Sequence, residues 1–93
     1  MDEIGIEYDE AKRLRILKER GLDIAESGLV FLDNYIELAD DRKDYGELRF
    51  RVWGYLHGRR VSLVWTPRGQ NRRIITMRHA HEQEHSARSK TLD

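Results

Sequence analysis

Eight arginines fall between residues 48 and 80 (Arg49, Arg51, Arg59, Arg60, Arg68, Arg72, Arg73 and Arg78), and that stretch holds no Asp, Glu or Lys. A guanidinium is a planar fork that pairs with phosphate through two N–H donors and stacks on bases. A run of them without acids suits a polyanionic partner. If the partner is RNA, arginines aimed at the non-bridging phosphate oxygens stabilise the charge that builds up during cleavage. Losing one such donor typically costs about 10²–10³ in rate. Cleavage also needs a base for the 2′-hydroxyl and an acid for the leaving 5′-oxygen. His79, next to Arg78, titrates in the range suited to either role, and Glu47 is a possible base. The plainer reading is that the basic half neutralises an acidic one. Residues 1–47 carry 14 acidic and 7 basic side chains, and residues 48–93 carry 10 basic and 3 acidic, which cancel to zero net charge.

These side chains must be positioned by a small fold. Leu, Ile, Val and Phe number 23 of 93 residues, enough for one modest core and for a single domain. Alternation predicts a strand over Ile4 to Tyr8. Asp9 suits a helix N-cap and Gly21 a left-handed C-cap. Between them, Ala11, Leu14 and Leu17 form a candidate buried stripe. Asp23 with Glu26 resembles a capping box for a second helix ending near Leu32, with Ala25, Gly28, Leu29 and Leu32 facing the core. Tyr35, Ile36 and Leu38 suggest a strand, and residues 40–46 a polar loop. Phe50, Val52, Gly54 and Leu56 alternate with Arg49, Arg51, Trp53 and Tyr55 in the clearest strand pattern of the chain. His57-Gly58 reads as a two-residue hairpin turn. Arg60 to Thr66 follows as a strand, and Thr66-Pro67-Arg68-Gly69 as a type I turn. The last strand covers Arg73 to Arg78, and residues 79–93 form a polar, weakly docked helix or tail. The order β-α-α-β-β-β-β-α places the chain in the α+β class, with helices on one face of an antiparallel sheet. On the other face, Arg49 and Arg51 would add RNA contacts. Lys12 and Arg20 would add positive charge from the first helix. Period-two alternation turns Arg73 away from Arg78 unless a bulge intervenes. Trp53, Tyr55 and Trp65 are stacking candidates, though such residues are more often core.

No cysteine is present, which excludes disulfides, thiol nucleophiles and Cys-ligated zinc. His81 and His85 lie one helical turn apart, but two ligands do not make a closed metal site, so no metal and no cofactor is expected. The longest apolar run is Leu29 to Leu32, too short for a membrane helix or a signal-peptide core. A cytoplasmic location without membrane contact is the expectation.

The ordered series Asp9-Glu10-Ala11-Lys12, Gly21-Leu22-Asp23, Val30-Phe31, Asp41 to Arg49, Gly58-Arg59, Thr66-Pro67-Arg68-Gly69 and Arg73 to Ala80 resembles the BrnT toxins across roughly residues 6–86. The resemblance implies a RelE-like fold and a ribosome-independent ribonuclease from a type II toxin–antitoxin pair. It also implies a BrnA-like ribbon-helix-helix antitoxin, with operator DNA bound only through the toxin–antitoxin complex. Arg68 and Arg78 lie in matching motifs and are the first candidates for catalytic phosphate ligands. Where the family has Asn and then Lys-His-Gly, this chain has Ile16 and Glu19-Arg20-Gly21. Tyr8 replaces an aromatic that is often Trp, and a C-terminal Tyr is replaced around Arg88. The alternative reading is therefore a catalytically degraded subunit that still pairs with an antitoxin and takes part in operon autoregulation. A gyrase-directed toxin on the same fold is a third.

Overall fold

The computed structural model describes residues 4–84. Residues 85–93, with His85 and most of the expected tail, lie outside that range. The described part of the tail is one helical turn at residues 82–84.

Five strands form one sheet: β1 (Ile6–Glu7), β2 (Ile36–Ala39), β3 (Phe50–Leu56), β4 (Arg59–Arg68) and β5 (Asn71–His79), in the order β1-β5-β4-β3-β2. The fold is α+β, as expected. The sheet is mixed rather than antiparallel, because β1 runs parallel to β5, with Ile6 opposite Arg72 and Glu7 opposite Arg73. The first strand is two residues long, not the five that alternation suggested.

The helix α1 (Glu10–Arg20) is bounded as its caps dictate. Asp9 Oδ2 accepts from the Lys12 backbone N–H at 2.9 Å, and Gly21 adopts φ +70° while its N–H donates to the Leu17 carbonyl. Its buried residue is Ile16, however, and Ala11, Leu14 and Leu17 are exposed. The expected stripe is therefore on the wrong side. α1 inserts one side chain into the core and is tied down by a fork between Arg13 and Asp23, at 2.8 and 3.1 Å.

The second helix, Ile24–Leu32, is a 3₁₀ helix. Three residues per turn bring Ile24, Ser27 and Val30 onto one line, and these are its buried residues. The α-helical spacing that put Leu29 and Leu32 inside fails for that reason, and both are exposed. No capping box forms either. The Asp23 side chain accepts from the Ala25 N–H, and the Glu26 carboxylate is 3.0 Å from His57 Nε2 instead.

This helix packs on one face of the sheet. There Val52, Leu56, Val61, Leu63, Ile74 and Met77 join Ile16, Leu22, Ile24 and Val30 in the core. Gly54 permits the approach, since a Cβ there would lie 2.7 Å from Val30 Cγ1. The β3–β4 turn is His57-Gly58, both with positive φ (51° and 78°), as a type I′ turn requires. The next turn is displaced from its expected place. β4 continues through Pro67 and Arg68, and Gly69-Gln70 makes the turn, with Gly69 at φ +58°.

Candidate nucleic-acid interface

The face of the sheet opposite the core carries several of the arginines, while Arg72 lies on the core side. Arg51 pairs with Val64, Ser62 with Arg78, and Thr66 with Arg73. Antiparallel partners share a face, and Ser62, Val64 and Thr66 alternate onto the same side. Arg51, Arg73 and Arg78 therefore lie together on that side. Plain alternation had separated Arg73 from Arg78. The register shifts between Val64 and Trp65, which face Thr76 and Ile74, so Ile75 is the extra residue of a bulge. One extra residue reverses the parity and brings Arg73 back to the face of Arg78.

The basic side chains form two groups. The first joins α1 to the segment leading into β3. Lys12 has a pKa lowered by burial and by the positive charges of Arg15, Arg49 and Arg20. Arg49 stacks over the Tyr45 ring at 4.1 Å and donates to Glu47 at 2.9 Å. Glu47 in turn lies 3.9 Å from Arg68. Arg20 donates to the Met77 carbonyl at 2.6 Å and reaches Thr76 Oγ1 at 3.5 Å. β1 pairs only with residues 72 and 73, which leaves that stretch of the β5 edge open to α1.

The second group surrounds Arg78. Its guanidinium makes a two-pronged pair with Glu84, at 2.7 and 3.1 Å. Hydrogen bonds from Arg78 and from the His81 backbone N–H hold the Glu84 carboxyl at a pKa of about 2. Arg42 is close enough to lower the pKa of Arg78, against the stronger effect of Glu84, which raises it. Arg42 is itself paired with the buried Asp40, whose pKa falls to about 2 chiefly through the Arg42 hydrogen bonds. Arg51 lies over the Trp53 ring at 4.8 Å. Arg73 stands apart, 3.8 Å from Glu7.

Of the residues singled out from sequence, Arg20 and Arg49 lie within electrostatic reach of Lys12, and Glu47 links Arg49 to Arg68. Arg78 and His79 diverge, as adjacent strand residues must. His79 pairs with Val61 on the core side, and its Nε2 donates to the Arg20 carbonyl at 2.8 Å. Trp53 is 1% exposed, and Trp65 packs on Phe50 and Phe31 while donating to Glu37 at 2.8 Å. Both are packing residues rather than stacking platforms. Arg15 and Arg42 belong to the charge groups, but sequence reasoning passed them over, since both lie outside the acid-free arginine run and Arg42 sits among Asp40, Asp41 and Asp44. Among the described residues, no group of three His, Cys, Asp or Glu side chains could hold a metal ion. Nor is any helix among them long and apolar enough to cross a membrane.

The structure thus defines a small α+β protein with an arginine-lined sheet face opposite its core. Residues 8–84 match the family described as the ribonuclease toxin BrnT of type II toxin–antitoxin systems, and the chain belongs to that family. No curated protein matches it in sequence.

Proposed function

We propose that this BrnT toxin is an endoribonuclease that cleaves single-stranded RNA in the cytoplasm without a ribosome or a metal ion, on the arginine face. The observation that carries this reading is the continuous series Lys12, Arg49, Glu47 and Arg68. In that series Glu47 lies 2.9 Å from Arg49 and 3.9 Å from Arg68, and Lys12 is within electrostatic reach of Arg49, which together with burial lowers its pKa. Glu47 takes the proton of the 2′-hydroxyl, and the 2′-oxygen attacks phosphorus. Arg49 and Arg68 hold the non-bridging oxygens as their charge grows. The bond to the 5′-oxygen breaks, and Lys12, readier to give up a proton than an ordinary lysine, protonates the leaving oxygen. The products are a 2′,3′-cyclic phosphate and a 5′-hydroxyl.

Arg20, Arg51, Arg73 and Arg78 bind neighbouring phosphates in this scheme. His79 serves as a positioning residue, because its ring holds the end of α1 from which Arg20 reaches the β5 edge. The expected partner is a BrnA-like ribbon-helix-helix antitoxin, and operator DNA is bound through that complex. The test is to incubate the purified chain with end-labelled single-stranded RNA in EDTA and analyse the termini. Cyclic phosphate ends support the scheme. Absence of cleavage by folded protein supports the alternative, a binding subunit that no longer cleaves.

A further inference from the structure

The core side of the molecule carries a groove of about 530 Å³ between the 3₁₀ helix and the β1 edge, with Ile4, Ile6, Leu29, Phe31, Leu32 and Arg72 in its walls. Leu32 is 82% exposed, Ile4 53% and Leu29 42%. Three aliphatic side chains converging in water cost free energy, and a concave apolar patch of this kind is characteristic of a contact surface. The fold does not use these side chains, since the buried line of the 3₁₀ helix is Ile24, Ser27 and Val30.

Arg72 forms one side of the groove. Its guanidinium lies 3.9 Å from the centre of the Phe31 ring and 5.1 Å from that of Trp65. Arg42, Arg49, Arg68, Arg73 and Arg78 each have a carboxylate within 4 Å. Among the described residues Arg72 has no such carboxylate, and its Nε is buried without a hydrogen-bond partner. Glu26, in the same groove, is engaged with His57 at 3.0 Å. A cation fixed by ring stacking beside aliphatic side chains is prepared for a carboxylate carried on an apolar segment.

We propose that this groove is the docking site of the antitoxin, through a segment that lays aliphatic side chains over Leu29 and Leu32 and sets one Asp or Glu carboxylate on Arg72. The proposal rests on the reading of this chain as one half of a toxin–antitoxin pair. The groove is apolar and lies across the sheet from the phosphate-binding arginines, so its occupant is a polypeptide rather than RNA. A second copy of this chain fits poorly, because a symmetric contact on this groove would bring two Arg72 cations together without a carboxylate between them.

The test is calorimetric titration of the purified toxin with its cognate antitoxin, using Leu29→Asp, Leu32→Asp and Arg72→Met. Thermal melts accompany each variant. Leu32→Asp, at a side chain almost wholly in solvent, keeps the test decisive if Arg72→Met fails to fold. The expected result is at least tenfold weaker binding by each folded variant, with RNA cleavage by the toxin alone unchanged. Wild-type affinity in Leu32→Asp overturns the proposal. So does a wild-type toxin that does not bind the antitoxin, or one that is a dimer by light scattering and is made monomeric by Leu32→Asp. Failure of the ribonuclease reading is separate, because it shows as a wild-type toxin that binds antitoxin but cleaves no RNA.

Discussion

Glu84 occupies the guanidinium fork of Arg78 much as a phosphate would, so removing its charge should tighten RNA binding. The pair is two-pronged, at 2.7 and 3.1 Å, with Arg78 45% and Glu84 27% exposed. Water screens such a pair, and measured values for partly exposed ion pairs reach about 1 kcal/mol at best. RNA must displace Glu84 to use Arg78, so Glu84→Gln recovers up to that amount, or about fivefold in affinity. Fluorescence anisotropy with a labelled single-stranded RNA at low salt reads the change. Glu82→Gln is the control, since it removes the same charge from a 77% exposed side chain that lies 3.8 Å from Arg60. It should shift affinity by less than about twofold, as expected for a lone surface charge. The gain from Glu84→Gln should vanish in an Arg78→Ala background. An equal gain from both Gln variants, or a gain that survives loss of Arg78, would show that Glu84 does not compete with RNA for Arg78.

Gly54→Ala should lower stability by about 1–3 kcal/mol, because the new methyl is forced against Val30 at 2.7 Å, and denaturant unfolding checks it. Asp40→Ala should cost about 1–2 kcal/mol at pH 7 by removing an acceptor of charged hydrogen bonds. The Asp40 and Glu84 carboxyls have folded pKa values of about 2, below their unfolded values. Their contribution to stability is therefore full above about pH 4.5 and is lost as the pH falls toward 2, which unfolding at pH 7, 4 and 2.5 would show. Lys12→Ala should slow cleavage by about 10²–10⁴, the usual range for a proton donor. Lys12→Arg keeps the charge but holds its proton too tightly to give it up, so it should be slow as well, and wild-type rates in Lys12→Arg would mean that Lys12 acts by charge alone.

The parts legible in the sequence were those under local control. Asp9 and Gly21 bound α1 to the residue, and His57-Gly58 marked its hairpin, because caps and type I′ turns depend on a few adjacent side chains. The errors came where the backbone changed period. The 3₁₀ helix buries every third residue, so Leu29 and Leu32 moved from core to surface. The bulge at Ile75 reversed the facing of Arg73. At the candidate site, the arginine run and Lys12 were legible as charge. The pairing of Arg78 with Glu84, the tether of His79 to the Arg20 carbonyl and the bridge of Glu47 between Arg49 and Arg68 were not. The first depends on where the chain returns after β5, the second on how the end of α1 packs against β5, and the third on how residues 45–49 fold against β4. Composition carries none of these.

Charge stabilisation on the arginine face is the feature on which the proposed RNA cleavage depends. The most direct measurement is the single-turnover rate on a labelled single-stranded RNA in EDTA, for the wild type, Arg68→Ala/Arg78→Ala and Glu47→Gln. Cleavage by the wild type to 2′,3′-cyclic phosphate ends, with a loss of about 10² or more in both variants while they remain folded at the assay temperature, is the predicted result. Equal rates in all three proteins, or cleavage that EDTA abolishes, would contradict it.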